Sequence, residues 1–122
     1  MRVMVIVKAT NDSEDGKMPT PDLLEQMGAF NQQLKDAGIF VEGDGLKPSA
    51  KGARVAFSGQ NRSVTKGPFP NVRDLVAGYW VWKVHDLDEA IEWVKRCPNP
   101  MPGPSVMEIR EFYEMEDFDR PK

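Results

Sequence analysis

Cysteine occurs once in this chain, at Cys97, and histidine once, at His85. A lone thiol forbids an intrachain disulfide, and no Cys-x-x-Cys or paired Cys/His spacing offers a zinc motif. The expectation is a cytoplasmic protein with no metal or other cofactor. Long apolar runs are missing too. Val3 to Val7, following Arg2, is too short to cross a bilayer or to serve as a signal-peptide core, and reads as a strand, so no membrane role is expected. Positive charge is not in excess: 16 Lys and Arg face 19 Asp and Glu, giving a net charge of -3, which argues against direct nucleic-acid binding. Phosphate loop, dinucleotide fingerprint and nucleophile elbow are all lacking.

What is present fits one soluble domain of 122 residues with 40% hydrophobic content, enough for a modest core. Its charge is uneven. From Gly43 to Val76 six bases stand against two acids, a local +4, which leaves -7 for the rest of the chain. Such a segment either attracts a small anion or forms a solvated loop and hairpin.

Strand periodicity carries the fold. Successive strand residues face opposite sides of a sheet, and in Gly78 to Val84 both sides are apolar: Trp80, Trp82 and Val84 on one, Tyr79 and Val81 on the other. Arg2 to Lys8 repeats the pattern, with Val3, Val5 and Val7 opposite Met4 and Ile6. Between a polar loop at Asn11 to Lys17 and Gly38, the hydroxyl of Thr20 before Pro21 opens a helix whose stripe is Leu23, Met27, Phe30, Leu34 and Ala37. Ile39 to Leu46 continues as a strand, in which Gly43 and Gly45 imply a bulge or a close backbone approach. Arg54 to Ser58 and Arg62 to Thr65 form a hairpin turning at Ser58-Gly59-Gln60-Asn61. Asp86 and Glu89 make a reciprocal cap for a second helix with the stripe Leu87, Ala90, Ile91 and Val94. Four prolines at alternate positions, Pro98 to Pro104, stiffen the lead into a last strand, Ser105 to Tyr113. An acidic tail (Glu114, Glu116, Asp117, Asp119) is expected to be ordered where Phe118 finds a pocket.

This order is βαββαβ with an inserted β-hairpin: an α+β, ferredoxin-like antiparallel sheet with both helices on one face. Two helices cover one apolar face only. The other is expected to pair with a second copy, burying Val3 or Met4 and the strand aromatics in a homodimeric α+β barrel.

At Gly43-Asp44-Gly45-Leu46-Lys47-Pro48, Val64-Thr65-Lys66-Gly67-Pro68-Phe69, Ala77-Gly78-Tyr79-Trp80 and Leu87-Asp88-Glu89-Ala90, and again at Glu92 to Pro98, the chain resembles the YCII-related family and within it the DGPF-domain branch. Lys66 stands where that branch's block begins with aspartate. The resemblance implies a single domain over 1–122 and a dimeric α+β barrel. It also implies bacterial relatives, some linked to extracytoplasmic-function sigma factors, and others on the same barrel that are lactone isomerases or dehalogenate their substrate. The histidine and aspartate pair ascribed to the wider family has no match at His85.

The residues themselves nominate a site. Asp44, between two glycines on a bulged strand, suits a base aimed into a cavity, or else a turn aspartate bonded to its own backbone. His85, at a strand-to-helix junction, is the one histidine, the residue type best suited to general base work, or else a plain loop residue beside a capping aspartate. Lys51, Lys66 and Arg73 suit anion recognition or surface solubility, and Tyr79 a pocket wall or an interface. Gly67-Pro68-Phe69-Pro70 reads as a turn that sets Phe69 against the core or a partner. The expected function is binding of a small anionic organic molecule, with isomerase- or lyase-like proton transfer from Asp44 or His85. The alternative is a non-catalytic accessory module, tied through the family resemblance to sigma-factor-dependent transcription.

Overall fold

In the computed structural model, which describes residues 1–118, the chain runs β1 (Arg2–Lys8), α1 (Asn11–Glu14), α2 (Pro21–Asp36), β2 (Phe40–Gly45), β3 (Ala53–Ser58), β4 (Asn61–Lys66), β5 (Val76–Lys83), α3 (Leu87–Arg96), β6 (Met107–Glu111) and α4 (Met115–Phe118). Four strands form one sheet in the order β2-β5-β1-β6, every neighbouring pair antiparallel, and β3 and β4 form a separate two-stranded sheet. With the hairpin set aside this is the ferredoxin-like arrangement that the strand and helix order predicts.

The alternation along β1 and β5 decides which residues meet α2 and α3. Val3, Val5 and Val7 pack with Trp80, Trp82, Val84, Phe30, Leu34 and Ala90 into one core. Phe30 meets both sheet indoles, with ring centroids 6.0 Å from Trp80 and 6.3 Å from Trp82, and Trp93 of α3 closes the group at 6.3 Å from Phe30. The Trp80 indole N–H donates to Asn31 Oδ1 at 2.9 Å, whereas Trp82 Nε1 is buried without a partner among the described residues. Gly43 is in register with Trp80, and a Cβ there would lie 2.5 Å from the indole Cδ1, so the close approach expected of this glycine is made to an aromatic ring. The bulge falls elsewhere, at Val41, where the β2–β5 register shifts between Phe40 and Glu42.

The opposite face corrects one expectation. Val3, Trp80 and Trp82 all lie under the helices, so of the strand aromatics the two indoles are not free for a second copy and only Tyr79 is. What β1 and β5 present there is Met4, Ile6, Tyr79 and Val81, flanked by Glu42 and Asp44 on β2 and by Glu108 and Arg110 on β6. Val81 is buried and the other three apolar residues are half-buried.

Four local departures have physical causes. Within the expected polar loop, Thr10 and Ser13 cap each other reciprocally, Ser13 N–H to Thr10 Oγ1 and Thr10 N–H to Ser13 Oγ, and that box closes the single turn of α1. Ala37 and Leu87 sit at helix ends and are exposed despite lying on the apolar stripes. The last strand ends at Glu111, although Phe112 N–H still donates to the Arg2 carbonyl at 3.1 Å. Phe118 fills no pocket: it is exposed and stacks on Tyr113 at 5.2 Å, while Arg2 holds Glu114 by a fork of two hydrogen bonds. Asp119 lies outside the described residues.

Candidate functional site

The chain leaves β2 at Gly45, pairs Leu46 N–H with the Ala77 carbonyl at 2.8 Å, and then meets Pro48, which opens one 3-10 turn over Ser49–Lys51. This turn is pinned from two sides. Gly52 N–H donates to the Ser49 carbonyl and Gly67 N–H to the Gly52 carbonyl, each at 2.9 Å, tying the turn to the foot of the hairpin. From the other side Glu14 of α1 accepts the Ser49 amide at 2.9 Å and also the Ser49 hydroxyl, while that hydroxyl accepts Phe69 N–H at 3.0 Å. One serine thus joins three segments distant in sequence.

The pinned segments surround a cleft of about 500 Å³. Leu46, Phe69, Leu75 and Val76 give it apolar walls, and Lys47, Lys51 and Arg54 stand at its rim with Glu14 and Asp74. Arg54 lies over the Phe69 ring at 4.0 Å, a cation set against an aromatic face. None of Lys47, Lys51 and Arg54 forms an ion pair among the described residues. The arrangement can hold an apolar body and neutralise a carboxylate or phosphate at its edge.

The nominated residues divide among three places. Lys51 lines the cleft. Lys66, opposite Ala53 at the foot of β4, and Arg73, in the turn over Val72–Asp74, are exposed and lie outside its lining. Asp44 and Tyr79 are in register on the sheet face away from the helices, Asp44 exposed and Tyr79 half-buried. His85 is exposed beyond the far end of β5, its backbone N–H donating to Glu89 Oε1 at 2.7 Å while Asp86 Oδ1 accepts Glu89 N–H at 2.8 Å. His85 lies six positions after Tyr79, about 20 Å at the ~3.3 Å rise of a strand. Asp44 and His85 are therefore not brought together within one chain.

Ser49, Glu14 and the stacked Arg54–Phe69 pair are not foreseen as a unit. Lys47 and Arg54 figure in the basic segment, and Phe69 in the turn, but the Glu14–Ser49 contact spans 35 positions and leaves no local pattern. A second hollow of about 250 Å³ lies beside Val94, Cys97 and Met107. Burial pushes the Cys97 thiol up to about 12, and its S–H donates to the Pro98 carbonyl at 3.2 Å, so it is no thiolate nucleophile at neutral pH. Among the described residues no group of three His, Cys, Asp or Glu side chains is placed to hold a metal, and no helix is long and apolar enough to cross a membrane.

Residues 1–116 match the family model of the YCII-related domain. Among solved structures the chain is similar to the 5-chloro-2-hydroxyhydroquinone dehydrochlorinase TftG of Burkholderia phenoliruptrix AC1100, in complex with 2,5-dihydroxybenzoquinone, with a TM-score of 0.51 and 16% identity over 96% of this chain and 98% of that one. At that identity the likeness is one of fold. No curated protein matches the chain.

Proposed function

The chain belongs to the YCII-related family, and from that premise we propose that it is a cytoplasmic homodimeric α+β barrel whose cleft beside β2 binds a small anionic organic molecule. The Gly67-Pro68-Phe69 block supports placing it in the DGPF branch as a single domain over 1–122. The observation that carries the ligand class is the cleft's rim: three cations without ion-pair partners around apolar walls, in a volume of about 500 Å³. That is within the roughly 300–1,000 Å³ typical of small-molecule sites. The structural neighbour's complex with a small organic molecule is consistent with this class. Lys66 and Arg73 flank the cleft as a wider field that draws an anion toward Lys51.

A proton transfer of the isomerase or lyase kind on such a molecule would take its base from Asp44, two residues before the cleft-lining Leu46 and beside the Tyr79 phenol. His85 lies at the wrong end of β5 to share that task. A non-catalytic interaction module is the second reading, favoured by the exposed apolar residues Val55, Phe57 and Val64 of the hairpin.

Calorimetric titration with a panel of small carboxylates and organic phosphates tests the ligand class. We expect at least one to bind, and the double variant Lys51→Ala with Arg54→Ala to bind it ten or more times less tightly, since each charge-assisted contact contributes about 1.5–3 kcal/mol. Unaltered affinity in that variant, or no anion bound by the wild type, would remove the cleft from consideration. If a substrate emerges, Asp44→Asn should stop turnover and leave binding in place.

A further inference from the structure

The hairpin β3–β4 is an arm. All twelve of its strand residues are exposed, it pairs with no strand of the main sheet, and a lone two-stranded ribbon is at best marginally stable in water. One face of it carries Val55 opposite Val64 and Phe57 opposite Arg62, with Phe57 71% exposed. Its charge is of one sign: from Ala53 to Lys66 there are three bases (Arg54, Arg62, Lys66) and no acid, which leaves -6 for the remainder of a chain whose net charge is -3.

A surface of opposite character lies at the other end of the chain. Tyr113, Met115 and Phe118 are exposed, Phe118 to 72%, and among them stand Glu114, Glu116 and Asp117. Arg2 takes Glu114, but Glu116 and Asp117 form no ion pair among the described residues. The arm follows β2, which ends in register with Gly78 at one edge of the sheet. The C-terminal segment follows β6, which ends in register with Val3 at the other edge and the opposite end. The two patches leave diagonally opposite corners, and in one chain they do not meet.

We infer that the arm of one copy docks on the C-terminal segment of a second copy, Phe57, Val55 and Val64 against Tyr113, Met115 and Phe118, with Arg62 and Lys66 facing Glu116 and Asp117. A two-fold axis that carries one corner onto the other makes this contact twice, as an isologous interface requires. The inference rests on the proposed homodimer and goes beyond it, because the arm lies outside the sheet face through which two copies would pair into one barrel. Apolar-on-apolar and basic-on-acidic matching selects another copy of this chain, whose surface outside the arm is acidic, over a nucleic acid, which that same surface repels.

Sedimentation equilibrium of the full chain tests it by charge exchange. Arg62→Glu with Lys66→Glu should weaken self-association roughly tenfold or more, Glu116→Lys with Asp117→Lys should do the same, and the fourfold variant should recover to near the wild-type constant. Recovery is a readout that a merely frayed hairpin would not give. A dimer whose constant is unmoved by either exchange, or a fourfold variant that stays weak, overturns the arm contact and leaves the barrel dimer standing. A monomeric wild type overturns both. Binding of a DNA duplex of about 20 base pairs that is lost with Arg62→Glu and Lys66→Glu, while association is unchanged, would give the arm to nucleic acid instead.

Discussion

A Cβ on Gly67 would lie 1.8 Å from the Ser49 carbonyl oxygen, whereas one on Gly28, inside α2, would meet nothing within 4 Å. The same substitution therefore has opposite signs at the two sites. Gly67→Ala must push the 3-10 turn off the hairpin foot and should cost about 2 kcal/mol or more, as overpacking does. Gly28→Ala should stabilise by about 1 kcal/mol, the helix-propensity difference, and urea denaturation of both variants reads the contrast. Cys97 supplies the pH dependence at this scale. Burial raises its folded-state value from 9.0 to about 12, so the protonated thiol favours the folded state. That contribution is fully present below pH 9 and is lost as pH rises toward 12. Across that window the wild type should lose stability faster than Cys97→Ala, and near pH 8 a thiol reagent should react more slowly with the folded chain than with the unfolded one. A single cysteine makes the sequence silent on this point, because burial of the thiol against Met27 and Pro98 arises only from the packing of α3 over α2.

Among the elements, the strands and the two long helices were legible because each satisfies a local rule: period-two alternation in β1 and β5, a hydroxyl cap before Pro21, and an Asp86 cap at α3, where Glu89 reaches back to the His85 N–H and not, as a reciprocal cap requires, to that of Asp86. The hairpin was legible as well, down to its two-residue turn, where Gly59 takes a φ of +59°. How the β excursion is fastened was not legible, since its anchor is a carboxylate on α1 and a hydroxyl 35 positions later. Removing that carboxylate tests its purpose. Glu14→Ala should leave the four-stranded sheet intact while amide exchange speeds up across Lys47 to Gly52, and any anion bound in the cleft should be held several-fold less tightly. Uniform protection in the variant would show that the backbone bonds of Gly52 and Gly67 suffice.

For the whole molecule, the excess of apolar strand surface over helix cover was readable from residue types, but its allocation was not. Register decides that both indoles of β5 go under the helices and that Met4, Ile6, Tyr79 and Val81 are what remains on the other face, the one the proposed homodimer would use. Each row of that face has the same grammar, an acid on β2, two apolar residues, then a charged residue on β6: Glu42, Val81, Met4, Arg110, and Asp44, Tyr79, Ile6, Glu108. Ile6→Glu sets a third carboxylate into the second row without touching the core. It should yield a folded monomer at micromolar concentration, seen as a halved mass by light scattering with unchanged circular dichroism. A retained dimer would place the contact elsewhere. The separation of Asp44 from His85 belongs to this scale too, because the two residues that the sequence offers as alternative bases are set apart by the length of one strand.

All three tryptophans gather around Phe30 on the helix side of the sheet. Their fluorescence is consequently an optical gauge of the interior alone. Emission should redden when the fold melts and stay constant when the far side of the sheet is occupied, so a titration followed by intrinsic fluorescence would miss an event that Tyr79, the sole tyrosine of the strand, is placed to sense.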